Sequence, residues 1–232
     1  LNQMIRKCER QLVRNDAASA LQTATEALSK DPESFVARHL KAVALVKLGK
    51  AKDALMLLKM NSDKHPEFYK TFAVMADVYV SANLTPAAIR SLERELKLNP
   101  RQPARQILMG RLLVSQGYGD LATAHYREAL KDEPKNHSAL TGAGHAFAKS
   151  GNIEKAVHFF LRARRFHPKS DKALPAIVKY CREFNTLKKA EHILIDERRM
   201  HPERLDTYIE LAHFLKELQR EHLQEHLLLL PA

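Results

Sequence analysis

The sequence predicts an all-α fold made of helical hairpins in tandem. Prolines recur every 34 residues from Pro32 to Pro202, and a proline ring blocks the continuation of a helix. Twelve residues before each of these prolines stands an alanine, the first being Ala20 and the last Ala190. Twelve residues before each alanine stands another small residue in five of six cases, with Val178 as the exception. Small residues in register predict the close approach of two helices, and the long period predicts a repeat array.

The repeating prolines also predict the domain organisation. Counting back from each proline gives units 1–34, 35–68, 69–102, 103–136, 137–170 and 171–204, with 205–232 left over as a partial or capping unit. We expect these units to form a single repeat domain over 1–232. The sequence begins with Leu1 rather than methionine, which suggests a fragment of a longer protein.

The unit 137–170 illustrates the hairpin. Apolar residues spaced i, i+3, i+4 and i+7 from Leu140 to Phe147 predict its first helix. Asn136 before that helix is a predicted N-cap, and Ser170 is the predicted cap of the next unit. Residues 150–152 predict the turn. Pro168 ends the second helix.

Turn and start signals in the other units agree with two helices each. Turns are predicted at Gly49, at Asn83 and at Asn185. Pro86 and Pro103 stand where helices begin, a position that proline tolerates.

Composition narrows the compartment and the partners. The net charge is +11 and the isoelectric point is near 9.7, so acidic partners are favoured over basic ones. The two cysteines, Cys8 and Cys181, fall at core positions too far apart in a linear array to pair. Buried free thiols favour a reducing compartment, and we expect a cytoplasmic protein. The sequence has no run of 18 apolar residues, so no membrane insertion is expected.

These recurring residues resemble the tetratricopeptide repeat pattern over nearly the whole chain. That motif has a small residue at position 8, a large apolar one at 11, alanine at 20, a large apolar one at 24, alanine at 27 and proline at 32. The best unit supplies Gly144, Phe147, Ala156, Phe160, Ala163 and Pro168. Tryptophan is absent, and position 27 holds Asn61, Glu95 and Glu197 in three units, which predicts looser packing there. Pentatricopeptide repeats, which read RNA, have a 35-residue period and lack this proline.

The resemblance implies an α-solenoid wound as a right-handed superhelix, with first helices lining a concave groove and second helices on the outside. It places positions 2, 5, 9, 12 and 13 of each first helix in the groove. The groove residues predicted to bind a partner are Lys70, Arg111, His145, Lys149, Lys172, Lys179 and Arg182. Units 103–136, 137–170 and 171–204 hold 19 Lys+Arg and 11 Asp+Glu, a net of +8. The lysines and asparagines of the carboxylate clamp found in chaperone-binding members are missing.

The matches to catalytic and metal-binding motifs in this sequence are incomplete. The string from His222 to Glu225 and His226 matches H-x-x-E-H, but that zinc site needs a third ligand downstream, and the sequence ends six residues later. Gly142 and Gly144 resemble the start of a dinucleotide loop, but Phe147 replaces its third glycine. We therefore predict a chain that is not an enzyme and has no cofactor or metal site.

The sequence favours a scaffold that binds a partner protein or peptide, acidic in character, in the groove. One alternative is a nucleic-acid-binding helical repeat, with Arg162, Arg164 and Arg165 of a second helix presented on the outer face. Another is the regulatory arm of a larger signalling protein. The leucine-rich segment from Leu227 to Leu230 predicts self-association or a further contact.

Overall fold

The fold is all-α in the part of the chain that the computed structural model describes, which is residues 1–168, 173–204, 207, 209, 210, 213, 214, 216 and 217. Within these residues there are twelve helices and no strand, which confirms the predicted fold class. The helices are α1 (Asn2–Val13), α2 (Ala17–Lys30), α3 (Phe35–Lys47), α4 (Ala51–Lys64), α5 (Tyr69–Ser81), α6 (Thr85–Leu98), α7 (Pro103–Ser115), α8 (Gly119–Asp132), α9 (His137–Lys149), α10 (Ile153–Phe166), α11 (Ala173–Glu183) and α12 (Leu187–Met200).

The helices repeat with the predicted period. The second helix of each hairpin begins 34 residues after the one before it, from Ala17 in α2 to Leu187 in α12. Each of these helices ends two residues before a repeating proline, as α2 does at Lys30 before Pro32. The prolines therefore stand just beyond the helix ends, where their missing N–H and bulky ring disturb no helical hydrogen bond.

One residue in the turn of each hairpin has a positive φ, and these residues share the 34-residue period. They are Asn15, Gly49, Asn83, Gly117, Gly151 and Asn185, with φ between 52° and 85°. Glycine and asparagine adopt this left-handed conformation at the least cost. The turns predicted at Gly49, Asn83 and Asn185 are confirmed.

Side-chain caps fix the start of several helices. The predicted cap at Asn136 is confirmed, because its Oδ1 accepts a hydrogen bond from the Ala139 backbone N–H with an N···O distance of 2.9 Å. Asn152 caps α10 in the same way through the Lys155 N–H at 3.0 Å. The predicted cap at Ser170 lies outside the described residues.

The chain divides into two compact units, Leu1–Arg105 and Gln106–Ala232. The repeating alanines lie in the core of both. They are at most 1% exposed: Ala20, Ala54, Ala88, Ala122, Ala156 and Ala190. The small residue twelve positions earlier is also buried, and at Gly144 an added Cβ would lie 2.7 Å from the Phe160 ring. The predicted close approach of the paired helices is confirmed.

The predicted loose packing at position 27 is wrong. Asn61 is fully buried; its Oδ1 accepts a hydrogen bond from Arg38 at 3.0 Å, and its Nδ2 donates to the Phe35 carbonyl at 2.9 Å. Glu95 is 1% exposed, and its Oε1 lies 3.1 Å from Arg105 Nε. Glu197 pairs in the same way with an arginine of α10. A buried polar group needs a partner. Each polar residue that stands at position 27 in place of alanine has such a partner, an arginine side chain.

Two further features of the sequence can be compared with the structure. Cys8 and Cys181 are buried and free, as predicted, and burial raises the pKa of Cys8 to about 11. In the described part of the chain, no helix is long and apolar enough to cross a membrane.

Candidate partner-binding surface

A set of basic side chains lies on the first helices of the unit Gln106–Ala232. Arg111 is on α7, Lys149 is on α9, and Lys179 and Arg182 are on α11. All four side chains are exposed. We call these four residues the basic row. Lys172, which the sequence places beside them, lies outside the described residues.

Tyr126 of α8 connects α7 with α9. An added Cβ at Gly110 of α7 would lie 2.7 Å from the Tyr126 ring, and a Cβ at Gly142 of α9 would clash with the same ring. Burial raises the pKa of Tyr126 to about 12, and the positive charge of Arg111 acts in the opposite direction. Arg111 is therefore close to the tyrosine that packs against α9.

A hydrogen bond connects α9 with α11. His145 Nδ1 lies 2.9 Å from the Tyr180 hydroxyl oxygen. The His145 ring also meets the Phe160 ring edge to face, with centroids 5.0 Å apart, and Phe160 stacks on Tyr180. His145 is at position 9 of its repeat unit, and Tyr180 is at position 10 of the next unit. These contacts make α7, α9 and α11 neighbours along one row.

His145 differs from the rest of the predicted set because it is half-buried. Burial, and secondarily the charge of Lys179, lower the pKa of His145 below its usual value. The ring is therefore neutral at pH 7 and acts as a hydrogen-bonding group rather than a cation. Sequence reasoning identified His145 but missed Tyr180, because the partner lies 35 residues away and the repeat pattern does not say which side chains bond.

The basic row is only partly neutralised by the chain's own carboxylates. Lys179 Nζ lies 3.8 Å from Glu183 one helical turn on, and 5.7 Å from the centre of the Tyr180 ring. Arg182 pairs with Glu217. Among the described residues, Arg111 and Lys149 form no ion pair. The row thus keeps two uncompensated cations and two cations in exposed, exchangeable pairs.

Lys70, the remaining predicted groove residue, belongs to the other unit, Leu1–Arg105. It is exposed on α5. Burial, and secondarily the charge of Lys70, lower the pKa of His39 to about 4. His39 packs edge to face on Phe68 with ring centroids 5.1 Å apart. Lys70 therefore lies near a buried, neutral histidine of α3.

One of the three arginines predicted on the outer face of a nucleic-acid binder is buried. Arg164 is 1% exposed, so its predicted presentation on the outer face is wrong. Arg162 lies over the Phe159 ring at 5.5 Å, and Lys155 lies over the Phe147 ring at the same distance. Ring faces covered by cations are poorly placed to stack on bases, because stacking needs an open face.

The structure places no metal-binding cluster among the residues it describes, taking three or more His, Cys, Asp or Glu side chains as the minimum. The H-x-x-E-H string and the leucines from Leu227 to Leu230 lie outside those residues.

Two family models match the chain. The N-terminal tetratricopeptide repeat region of Psidin matches residues 10–103, and a general tetratricopeptide repeat model matches residues 107–171. Among curated proteins, none matches the sequence.

Solved structures of the same fold are similar over most of the chain. A tetratricopeptide repeat protein from Parabacteroides merdae ATCC 43184 has a TM-score of 0.64 at 16% identity and covers 95% of this chain and 88% of its own. YrrB, a repeat protein with an unusual peptide-binding site, has a TM-score of 0.66 at 17% identity, with coverages of 80% and 95%. The Naa15/Naa10 complex bound to HypK-THB gives 0.70 at 21% identity, covering 95% of this chain and 34% of the matched chain.

At these identities the structural likeness supports the fold alone. The family models add a match in sequence on both sides of residue 105. The chain belongs to the tetratricopeptide repeat family, whose arrays serve in general as non-catalytic scaffolds for protein interactions.

Proposed function

We propose that the basic row binds an acidic segment of a partner protein. The observation that carries this proposal is the continuity of the row. The Tyr126 contacts join α7 to α9, and the His145–Tyr180 hydrogen bond joins α9 to α11. Three successive first helices carry exposed cations, and we assign these cations to one surface. Lys172, which the sequence places in the same unit as Lys179 and Arg182, is a predicted further member.

The chemistry of the row favours carboxylates. Exposed lysine and arginine side chains attract an acidic segment from a distance, and several acting together raise the association rate. Each exposed pair contributes about 0–1 kcal/mol, so the affinity arises from the set rather than from one residue. The ion pair between Lys179 and Glu183 is weak. Lys179 can therefore exchange Glu183 for a carboxylate of the partner at little cost in free energy.

The experiment compares two triple charge reversals. The test variant is Arg111→Glu, Lys149→Glu and Lys179→Glu. The matched control reverses three exposed cations of second helices in the same unit, Arg127→Glu, Lys155→Glu and Arg165→Glu. Each variant is titrated with a polyglutamate peptide and with single-stranded oligothymidylate at two salt concentrations.

We expect the test variant to bind polyglutamate severalfold more weakly and with a smaller salt dependence, while the control binds as the wild type does. An equal loss in both variants would mean that only net charge matters and would refute the assignment. A control that loses oligothymidylate binding while the test variant keeps it would favour the nucleic-acid alternative. Thermal melts followed by circular dichroism check that both variants fold.

A further inference from the structure

A small cavity lies between α5 and α6 in the unit Leu1–Arg105. Its volume is about 200 Å³. Phe72, Met75 and Tyr79 of α5 form one side, and Ala87 and Ser91 of α6 form the other. Phe72 and Ser91 are buried, whereas Met75, Tyr79 and Ala87 are partly exposed. The cavity is therefore an apolar recess that opens to solvent.

Two arginines line the same cavity. Arg90 and Arg94 stand one turn apart on α6, and both are exposed. Within the described residues neither makes an ion pair or a side-chain hydrogen bond. Like charges spaced i and i+4 on a helix repel each other. The free chain thus holds two uncompensated guanidinium groups beside an apolar recess.

The arginine pair is particular to this hairpin. The other units carry at most one arginine at the two equivalent positions: Gln22 and Glu26, Met56 and Met60, Ala124 and Glu128, His158 and Arg162, and His192 and Asp196. The repeat fold itself therefore does not require the pair.

The cavity is on the side of α5 opposite the predicted groove. Consecutive residues of an α-helix are about 100° apart around its axis. The groove positions of α5, Lys70, Ala73, Asp77, Val80 and Ser81, therefore centre about 160° away from the cavity residues of the same helix. A ligand in the cavity does not compete with one in the groove.

We propose that this arginine-lined cavity binds an acidic segment of a partner protein, which inserts one phenylalanine or tyrosine ring. A cavity of about 150 Å³ with apolar walls can hold benzene, so this one has room for an aromatic side chain. The arginines are exposed, so they meet a ligand at the solvent side of the recess. We therefore expect the negative charges of the ligand to be aspartate or glutamate residues on either side of the aromatic residue.

The probe is the peptide acetyl-Asp-Glu-Phe-Asp-Glu-amide, titrated calorimetrically into the full chain. Two comparison peptides replace the phenylalanine by alanine or all four acids by glutamine. We expect the alanine peptide to bind about tenfold more weakly or worse, because it loses the burial of the ring. The glutamine peptide is expected to bind severalfold more weakly, because it loses the charge-assisted contacts.

Two variants locate the site. Arg90→Gln with Arg94→Gln should reduce affinity for the acidic peptide severalfold and leave the glutamine peptide unchanged. Ala87→Phe should fill the recess and abolish the advantage of phenylalanine over alanine. The matched control, Lys59→Gln with Lys97→Gln, removes two exposed cations from α4 and α6 and should leave the affinity unchanged.

The outcomes separate this proposal from that for the basic row. The Arg111, Lys149 and Lys179 triple reversal should leave binding of the phenylalanine peptide at the cavity intact. Three results would each overturn the proposal for the cavity. They are absence of binding, equal affinity for the phenylalanine and alanine peptides, and an affinity that does not change when Arg90 and Arg94 are substituted. The arginine substitutions lie on the surface, so the test stands even if Ala87→Phe disturbs folding.

Discussion

Arg164 of α10, which is buried, forms an ion pair with Glu197 of α12, which is half-buried. Arg164 Nε lies 2.8 Å from Glu197 Oε2, and Arg164 Nη2 donates a hydrogen bond to Thr207 Oγ1 at 2.6 Å. Arg204 approaches the same Glu197 oxygen at 3.8 Å. One guanidinium therefore ties two second helices to the chain that follows them. Its burial is tolerated because its donors have partners.

Removing this arginine is predicted to be strongly destabilising. Arg164→Ala leaves the half-buried Glu197 without its closest counter-charge, although Arg204 remains 3.8 Å away. We therefore expect a cost of about 3 kcal/mol, the lower end of the range for a buried charge that loses its partner. Denaturation by urea measures the change. The matched control is Arg165→Ala, one residue along and exposed, which should change the free energy of unfolding by about 0.5 kcal/mol or less. Equal effects of the two substitutions would contradict the assigned role of the pair.

The hairpins could be predicted from sequence, but this pair could not. Helix ends and turns depend on local constraints, so proline at position 32 and glycine or asparagine at position 15 specify them directly. The pairing of Arg164 depends on which of three nearby arginines points inward and on a carboxylate 33 residues later. The same reason explains why Asn61 and Glu95 were expected to loosen the packing, although each is matched by an arginine.

A second prediction concerns the contact between Gly142 and Tyr126. A Cβ at position 142 would overlap the Tyr126 ring, so Gly142→Ala should destabilise the fold by about 1–3 kcal/mol through overpacking. Combined with Tyr126→Leu, which removes the obstructing ring, the same alanine should cost clearly less. A double-mutant cycle measures this coupling. Additive effects would show that the cost of the alanine does not come from the Tyr126 ring.

A third prediction concerns acid stability and His39. Burial, and secondarily Lys70, lower the pKa of His39 from 6.5 to about 4, so the folded chain binds fewer protons there than the unfolded chain. The contribution of neutral His39 to the free energy of unfolding is fully present above pH 6.5 and is lost as the pH falls towards 4. Relative to wild type, His39→Leu should lose less stability across this window, by on the order of 3 kcal/mol. Urea midpoints at several pH values test this, and parallel curves would contradict it.

The candidate surface was only partly visible in the sequence. Repeat register pointed to Arg111, Lys149, Lys179 and Arg182, and all four are exposed. Register could not reveal that His145 is held neutral beside Tyr180, because its burial depends on aromatic rings from two other helices. It also gave no sign of the recess beside Arg90 and Arg94, whose shape arises from packing.

The last prediction links His145 to partner binding at the basic row. Burial and the charge of Lys179 keep the pKa of His145 below its usual value, so the ring is neutral near pH 7. An acidic ligand beside it favours protonation, and linkage then requires the affinity for polyglutamate to rise as the pH falls from 7.5 towards 5.5. His145→Gln should remove most of this rise, whereas His158→Gln, which changes an exposed histidine of the same unit, should retain it. Fluorescence titrations at fixed ionic strength measure both. A rise of equal size in the His145 variant would place the responsible proton elsewhere.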